Sequence, residues 1–288
     1  MLENLINPKK AEKRPWEMFF IGAFYALVSL ILVEWVFAGD PVLSRYQGLL
    51  VVTFTVIFSL PFMYYAIKNE EQKDLQIKGF KKLIKEHEKA ILYFMFLFIG
   101  FIFTFSVWYV AIEDGNQSFK VQIETYCAIN QPTNFDQCVS EYGMEQSSTS
   151  KTTGFSITKD RFLSIFINNI YVLIFTLIFS LLLGAGAIFI LAWNASVISA
   201  AVGIFAKSNL IQVPIGILRY MIHGIPEIAA YFTVALAGGI VGVAVIKHEI
   251  HSEKFWIILQ DSLNLIILAI VLLLVACFIE VFITPIIF

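Results

Sequence analysis

An all-α bundle of transmembrane helices is the fold class this sequence predicts. Three observations carry it: 58% of the 288 residues are apolar, only 15% are charged, and the apolar residues gather into runs of about 20, enough to cross a bilayer as helices. A soluble domain would carry roughly 25% charge. The net charge of −2 and pI near 6.1 offer no clustered basic face of the kind nucleic-acid binding requires.

The first span, residues 16–37, follows Lys9, Lys10, Lys13 and Arg14, which places the N-terminus in the cytoplasm by the positive-inside rule. Its far end carries Glu34, Asp40 and Pro41 in place of the small residues of a cleavage site, so it reads as a retained helix. A second span, 49–67, returns the chain to a lysine-rich segment, 68–89. There Lys78, Lys81, Lys82 and Lys85 interleave with Leu75, Ile77, Phe80, Leu83 and Ile84. That pattern suits an amphipathic helix on an anionic membrane surface, or equally a connector packed on the base of the protein. A third span, 90–111, completes an N-terminal region of residues 1–111.

Residues 112–160 form the longest polar stretch, acidic and then rich in Ser and Thr. Cys127 and Cys138 both fall in it, and in an oxidising outer compartment they are expected to form a disulfide that staples a small loop.

The remaining region, 161–288, begins with a span at 162–193 that opens on Asn168 and Asn169, passes Gly184 and Gly186, and closes on Asn194. Residues 196–221 are less regular, because Lys207, Ser208, Asn209, Pro214, Gly216 and Arg219 interrupt the apolar run. Two half-helices joined by a break account for them, either crossing once or dipping in and returning. Span 225–246 carries Gly238 and Gly242, a small-residue face that fits a homodimer contact or packing within one chain. The last span starts near Trp256, contains Glu280, and ends outside. Seven crossings with one discontinuous helix result; six plus a re-entrant segment is the alternative.

The most informative run is His223-Gly224-Ile225-Pro226-Glu227, because a charged side chain at a helix centre in lipid costs about 2.5–3.5 kcal/mol and needs a partner or a task. If the helix starts at or before His223, then His223 and Glu227 share a face. If Gly224 and Pro226 start it, Pro226 sits in the first turn and Glu227 lies at a positive helix end, with Arg219 as a counter-ion. Together with Asn168, Asn169, Asn194 and Glu280 these residues make an intramembrane polar site. It serves either as a lock between helices or as an ion or proton site at a helix break.

No metal or cofactor is expected. His248-Glu249-Ile250-His251 has its histidines three apart, where a zinc helix needs four, and no outer ligands can be named for a His223, Glu227, Glu280 set. No nucleophile elbow, phosphate loop or aspartate pair points to catalysis, so the protein reads as a non-enzyme.

Asn168-Asn169 opening a span, the Gly-rich helix closing on Asn194, the small-residue stretch 195–203, and His223-Gly224-Ile225-Pro226-Glu227-Ile228-Ala229 before a Gly/Ala helix together resemble the stage II sporulation protein M (SpoIIM) family, its archaeal members especially. The resemblance covers residues 162–288, and the N-terminal spans look like the extension of archaeal homologues. Ala195 departs from it, standing where many relatives have glycine. The resemblance implies an integral membrane scaffold or envelope-remodelling component. Sporulating bacteria use the family to anchor peptidoglycan-degrading engulfment enzymes, partners to which nothing in this sequence points. The partners expected are the lipid bilayer, envelope proteins and a second copy of the chain. The residues alone keep a second class open, a channel or secondary transporter with His223, Glu227 and Arg219 as gate or coupling site.

Overall fold

The computed structural model describes residues 11, 13–37, 39–74, 80–112, 115–131, 134–143, 158–183, 187–206, 209–246 and 252–287. Lys78, Gly184, Gly186 and His248 to His251 lie outside them, as do the side chains of Lys81 and Lys82; Lys85 is exposed. The described residues fold into helices: α1 Glu17–Phe37, α2 Gln47–Asp74, α3 Phe80–Ala111, α4 Lys120–Asn130, α5 Phe135–Gly143, α6 Thr158–Leu183, α7 Ile188–Ala206, α8 Val213–Ile246, α9 Glu253–Phe278 and the short α10 Thr284–Ile287. Seven are long and apolar enough to cross a membrane, so this is a multi-pass membrane protein.

Close approach of backbones organises the first half. Where α1 crosses α3, Gly22 faces the Leu97 carbonyl and Gly100 faces Phe19 and Ala23, with Thr104 Oγ1 donating to the Ala23 carbonyl at 3.4 Å. Small residues permit such contacts in lipid, where there is no hydrophobic force to drive helices together. The α1–α2 turn is closed by Asp40, whose Oδ1 accepts from the backbone N–H groups of Val42 and Leu43, both at 2.8 Å. Those bonds hold the Asp40 carboxyl below its ordinary range. A depressed carboxylate stabilises only while ionised, so the turn is expected to loosen as pH falls through that lowered value and to stay unchanged near neutrality. Faster amide exchange at Val42 and Leu43 in acid would register this, and Asp40→Asn would remove the pH dependence.

α2 packs antiparallel on α3 through Phe62, Tyr93 and Phe94. α8 is the central helix: every residue from 230 to 244 is buried, and α2, α3, α6, α7 and α9 all touch it. Gly238 and Gly242 pack within the chain, facing the α6 carbonyls of Leu177 and Leu181 at 3.0 and 2.7 Å from where a Cβ would stand. The face read as a homodimer contact is therefore occupied by α6.

Residues 120–143 are a docked hairpin and not a loose loop. The Cys127–Cys138 disulfide joins α4 to α5, and both cysteines pack with Ile123 against Ala200 of α7. Gln122 Nε2 donates to the Gly48 carbonyl at 3.0 Å, and Phe119 meets Phe105 edge-on. α1, α3, α7 and α9 run toward this hairpin side; α2, α6 and α8 run away from it. Closing so short a loop stabilises by about 2–4 kcal/mol. Replacing both cysteines by serine is thus expected to lower the melting temperature and to speed amide exchange across α4 and α5 first.

Two divisions of the chain differ from the sequence expectation. The single span foreseen at 162–193 is split, since α6 ends at Leu183 and α7 starts at Ile188. Conversely, the break foreseen at Gly224–Pro226 is absent, because α8 runs unbroken from Val213 through Pro226. Pro226 removes one donor from the ladder, a loss that neighbouring helices can support in a buried span. The interruption expected between Lys207 and Pro214 is present, at the 3₁₀ turn Leu210–Gln212, where Asn209 Oδ1 accepts from the Ile211 N–H at 3.0 Å and Pro214 occupies the first turn of α8. What was read as one discontinuous helix is two complete ones, α7 and α8. Asn194 and Ala195 lie inside α7 with no turn between them.

Candidate intramembrane polar site

On α8, Arg219, His223, Glu227 and Tyr231 recur every four residues and so share one face. That face meets α9 at an irregular place, for Ile279–Ile283 form a π-helical segment containing Glu280. The segment lets Thr284 Oγ1 donate five residues back to the Ile279 carbonyl at 3.2 Å, and it turns Thr284 toward His223, whose Nδ1 lies 3.3 Å from the hydroxyl. π-Segments of this kind are frequent at functional positions.

Glu227 accepts a hydrogen bond from the Tyr231 hydroxyl at 2.8 Å and lies within electrostatic range of Glu280. α6 contributes Asn169, whose amide Nδ2 approaches Cys277 Sγ of α9 at 4.0 Å. Toward the hairpin, the Tyr220 hydroxyl interacts with Glu280 and hydrogen-bonds Tyr126 of α4. Arg219 lies over the Phe205 ring, 5.2 Å from its centroid, and acts on Tyr126 and Tyr220. Burial pushes the Tyr126 phenol up, against the opposing effects of the Tyr220 hydrogen bond and the Arg219 charge.

Of the residues expected to gather, His223, Glu227, Glu280 and Asn169 do so. Arg219 sits nearer the hairpin, with an aromatic partner. Asn168 is exposed and its amide donates to the Asn169 side chain at 3.4 Å. Asn194 stays on α7, donating to the Ile190 carbonyl at 2.8 Å. Gly224 is buried against Met221 and Ile228, and Pro226 occupies the interior of α8. Among the described residues no three His, Cys, Asp or Glu side chains are arranged to hold a metal ion.

Sequence reasoning missed Tyr126, Tyr220, Tyr231 and Thr284. Tyr231 was legible as the next four-residue step after Glu227; Thr284 was not, since it depends on the π-segment. A second buried polar contact was also missed: His87 Nδ1 lies 2.8 Å from Glu70 Oε2, joining α2 to α3 at the ends away from the hairpin, with both side chains wholly buried.

With this geometry in place, a family model described as stage II sporulation protein M matches residues 23–285 of the chain. The match takes in most of the N-terminal spans as well as residues 162–285. No curated protein and no solved structure matches.

Proposed function

The chain belongs to the stage II sporulation protein M (SpoIIM) family, and from that premise we propose that it is a non-enzymatic membrane scaffold of the cell envelope. The observation that supports this reading is the fastened hairpin. A disulfide, the Gln122–Gly48 bond and packing on α7 hold α4 and α5 as a fixed platform at one end of the bundle. Its outer side presents Ile129 and Phe135, 55% and 37% exposed, beside Asp136 and Gln137. A rigid surface loses little entropy on binding, which favours a docking role. The lysine-rich N-terminal flank and the 68–89 segment suit the cytoplasmic side, where Lys78, Lys81, Lys82 and Lys85 would meet anionic lipid headgroups. The hairpin, its disulfide and the C-terminus then face the oxidising exterior.

Photo-crosslinking in native cells tests the proposal. A crosslinker at Ile129 or Phe135 is expected to yield discrete protein adducts, while one at lipid-facing Ile267 yields lipid adducts only. Absence of protein adducts from both hairpin positions would overturn the platform.

A channel or transporter using His223, Glu227 and Arg219 is the second reading, favoured by their shared face on α8, within electrostatic range of Glu280. Glu227 stands about 21 Å along α8 from its first residue, well inside the span. Solute flux dependent on Glu227 would support it.

A further inference from the structure

α6 and α9 both pack on α8, and they diverge along it. At the hairpin end they touch: the Phe162 and Phe282 ring centroids lie 6.5 Å apart, and Asn169 Nδ2 reaches Cys277 Sγ. At the other end a cavity of about 560 Å³ separates them, a volume common among ligand sites. Its floor is α8, at Ala237, Gly238 and Val241, and one wall is α6, at Leu177 and Leu181. The second wall is α9, where Trp256, Leu259, Leu263 and Ile266 recur at helical spacing. The first three of these are exposed, so the cavity opens sideways, toward the bilayer.

All three helices place it at the same depth. Leu181 stands two residues before the end of α6, Val241 five before the end of α8, and Trp256 three after the start of α9. From Trp256 to Ile266 the helix rises about 15 Å, half of the roughly 30 Å hydrocarbon core. The cavity therefore lies in one leaflet, the one away from the hairpin. Its lining is apolar except for Gln260 and Ser262. Ser262 Oγ donates to the Ala237 carbonyl at 3.2 Å, which commits its donor, and an ordered water needs about 2–4 polar partners. Hydrocarbon suits this interior better than water. The remaining polar groups gather at the mouth: Gln260 is exposed, one turn from Trp256, and tryptophan is the residue that anchors at headgroup level. The first turn of α9 adds Glu253 and Lys254, one charge of each sign, which complements a zwitterionic headgroup.

We propose that this cavity is a lipid site, which takes one hydrocarbon tail of a zwitterionic phospholipid from the leaflet away from the hairpin. Spread over its depth, the volume gives a mean cross-section of about 40 Å², against about 80 Å² for a helix 10 Å across. A helix of a second copy does not fit. Its side chains would enter only at single positions, whereas a tail fills the gap along its length. The small residues Ala237 and Gly238 give the floor its depth, and the contacts at Phe162 and Asn169 close the far end of the gap. A tail seated there packs against α6, α8 and α9 together, and it stabilises the folded bundle by mass action. This inference is independent of the scaffold reading, which stands on the opposite end of the molecule.

Native mass spectrometry tests it on the full-length protein, stripped of lipid in mild detergent and then given one equivalent of phosphatidylethanolamine. One lipid is expected to stay bound to each chain. Val241→Phe fills the cavity from its floor and Leu263→Trp from its open wall, and each is expected to weaken retention by about tenfold. Leu263 is exposed, so its replacement leaves the core packing intact and keeps the test valid should Val241→Phe fold poorly. The lipid should also raise the melting temperature of wild type and leave that of Leu263→Trp unchanged. Phosphatidylethanolamine carrying a diazirine midway along one tail then locates the site, with adducts expected on Leu177, Val241 or Leu263. Loss of all lipid from wild type, equal retention by wild type and Leu263→Trp, or adducts confined to other positions would overturn the proposal. So would a detergent-stable dimer that Leu263→Trp dissociates, which would put a second copy in the cavity. None of these results bears on adducts at Ile129 or Phe135, so the platform stands or falls separately.

Discussion

His87→Ala is expected to destabilise the protein by about 1–3 kcal/mol, the cost usual when a buried polar group loses a hydrogen-bond partner. His87 and Glu70 are both fully buried and 2.8 Å apart, so the substitution takes one hydrogen-bond partner from an interior carboxyl and opens a cavity beside it. The damage should be local at first. α2 and α3 are joined here through the lysine-rich connection, and amide exchange is expected to rise at the end of α2 and the start of α3 before it rises elsewhere. His87→Gln keeps a donor of similar reach and should recover part of the loss. Unfolding by denaturing detergent measures both variants. A loss under about 1 kcal/mol for His87→Ala, the range of an exposed pair, would show that the contact contributes little.

Gly100→Ala is expected to cost about 1–3 kcal/mol, toward the upper end of what overpacking does. A Cβ at Gly100 would overlap the Phe19 carbonyl and lie 2.8 Å from the Ala23 nitrogen. Both obstacles are backbone, so no rotamer change relieves them and α1 must move as a whole. Gly22 meets the Leu97 carbonyl at the same crossing, so Gly22→Ala and Gly100→Ala should combine non-additively. Gly224→Ala is the control. Its nearest neighbour is the Met221 Cε at 3.0 Å, the end of a flexible side chain, and its effect should be small. Equal losses at Gly100 and Gly224 would contradict a special role for the α1–α3 crossing, since helix propensity favours alanine at both positions.

The spans were legible because burial in lipid writes itself as a one-dimensional run of apolar residues. Their division between 162 and 246 was not, since local rules at Gly224 and Pro226 favour a helix end while α8 continues through them into its fully buried part, 230–244. The division of the apolar stretch 162–193 between α6 and α7 was not legible either, because by composition it reads as one span. At the polar site, the four-residue spacing of His223 and Glu227 gave one face in advance for a helix that starts at or before His223; Arg219 joins that face because α8 starts at Val213. Which residues of α9 and α4 oppose that face depends on how the helices align along their lengths, and the sequence carries no record of it. His87 and Glu70 were hidden for a different reason, standing among lysines in a segment that reads as solvated.

The central claim is that the bundle holds the polar series Arg219, His223, Glu227 and Tyr231 of α8 as a fixed element of a scaffold and not as a path for ions. Decay of a pH gradient across liposomes containing the purified protein tests it most directly. The account predicts that the gradient decays no faster than in empty vesicles, with wild type and Glu227→Gln alike. Rapid decay with wild type that disappears in Glu227→Gln would contradict it and make the polar series a conducting path.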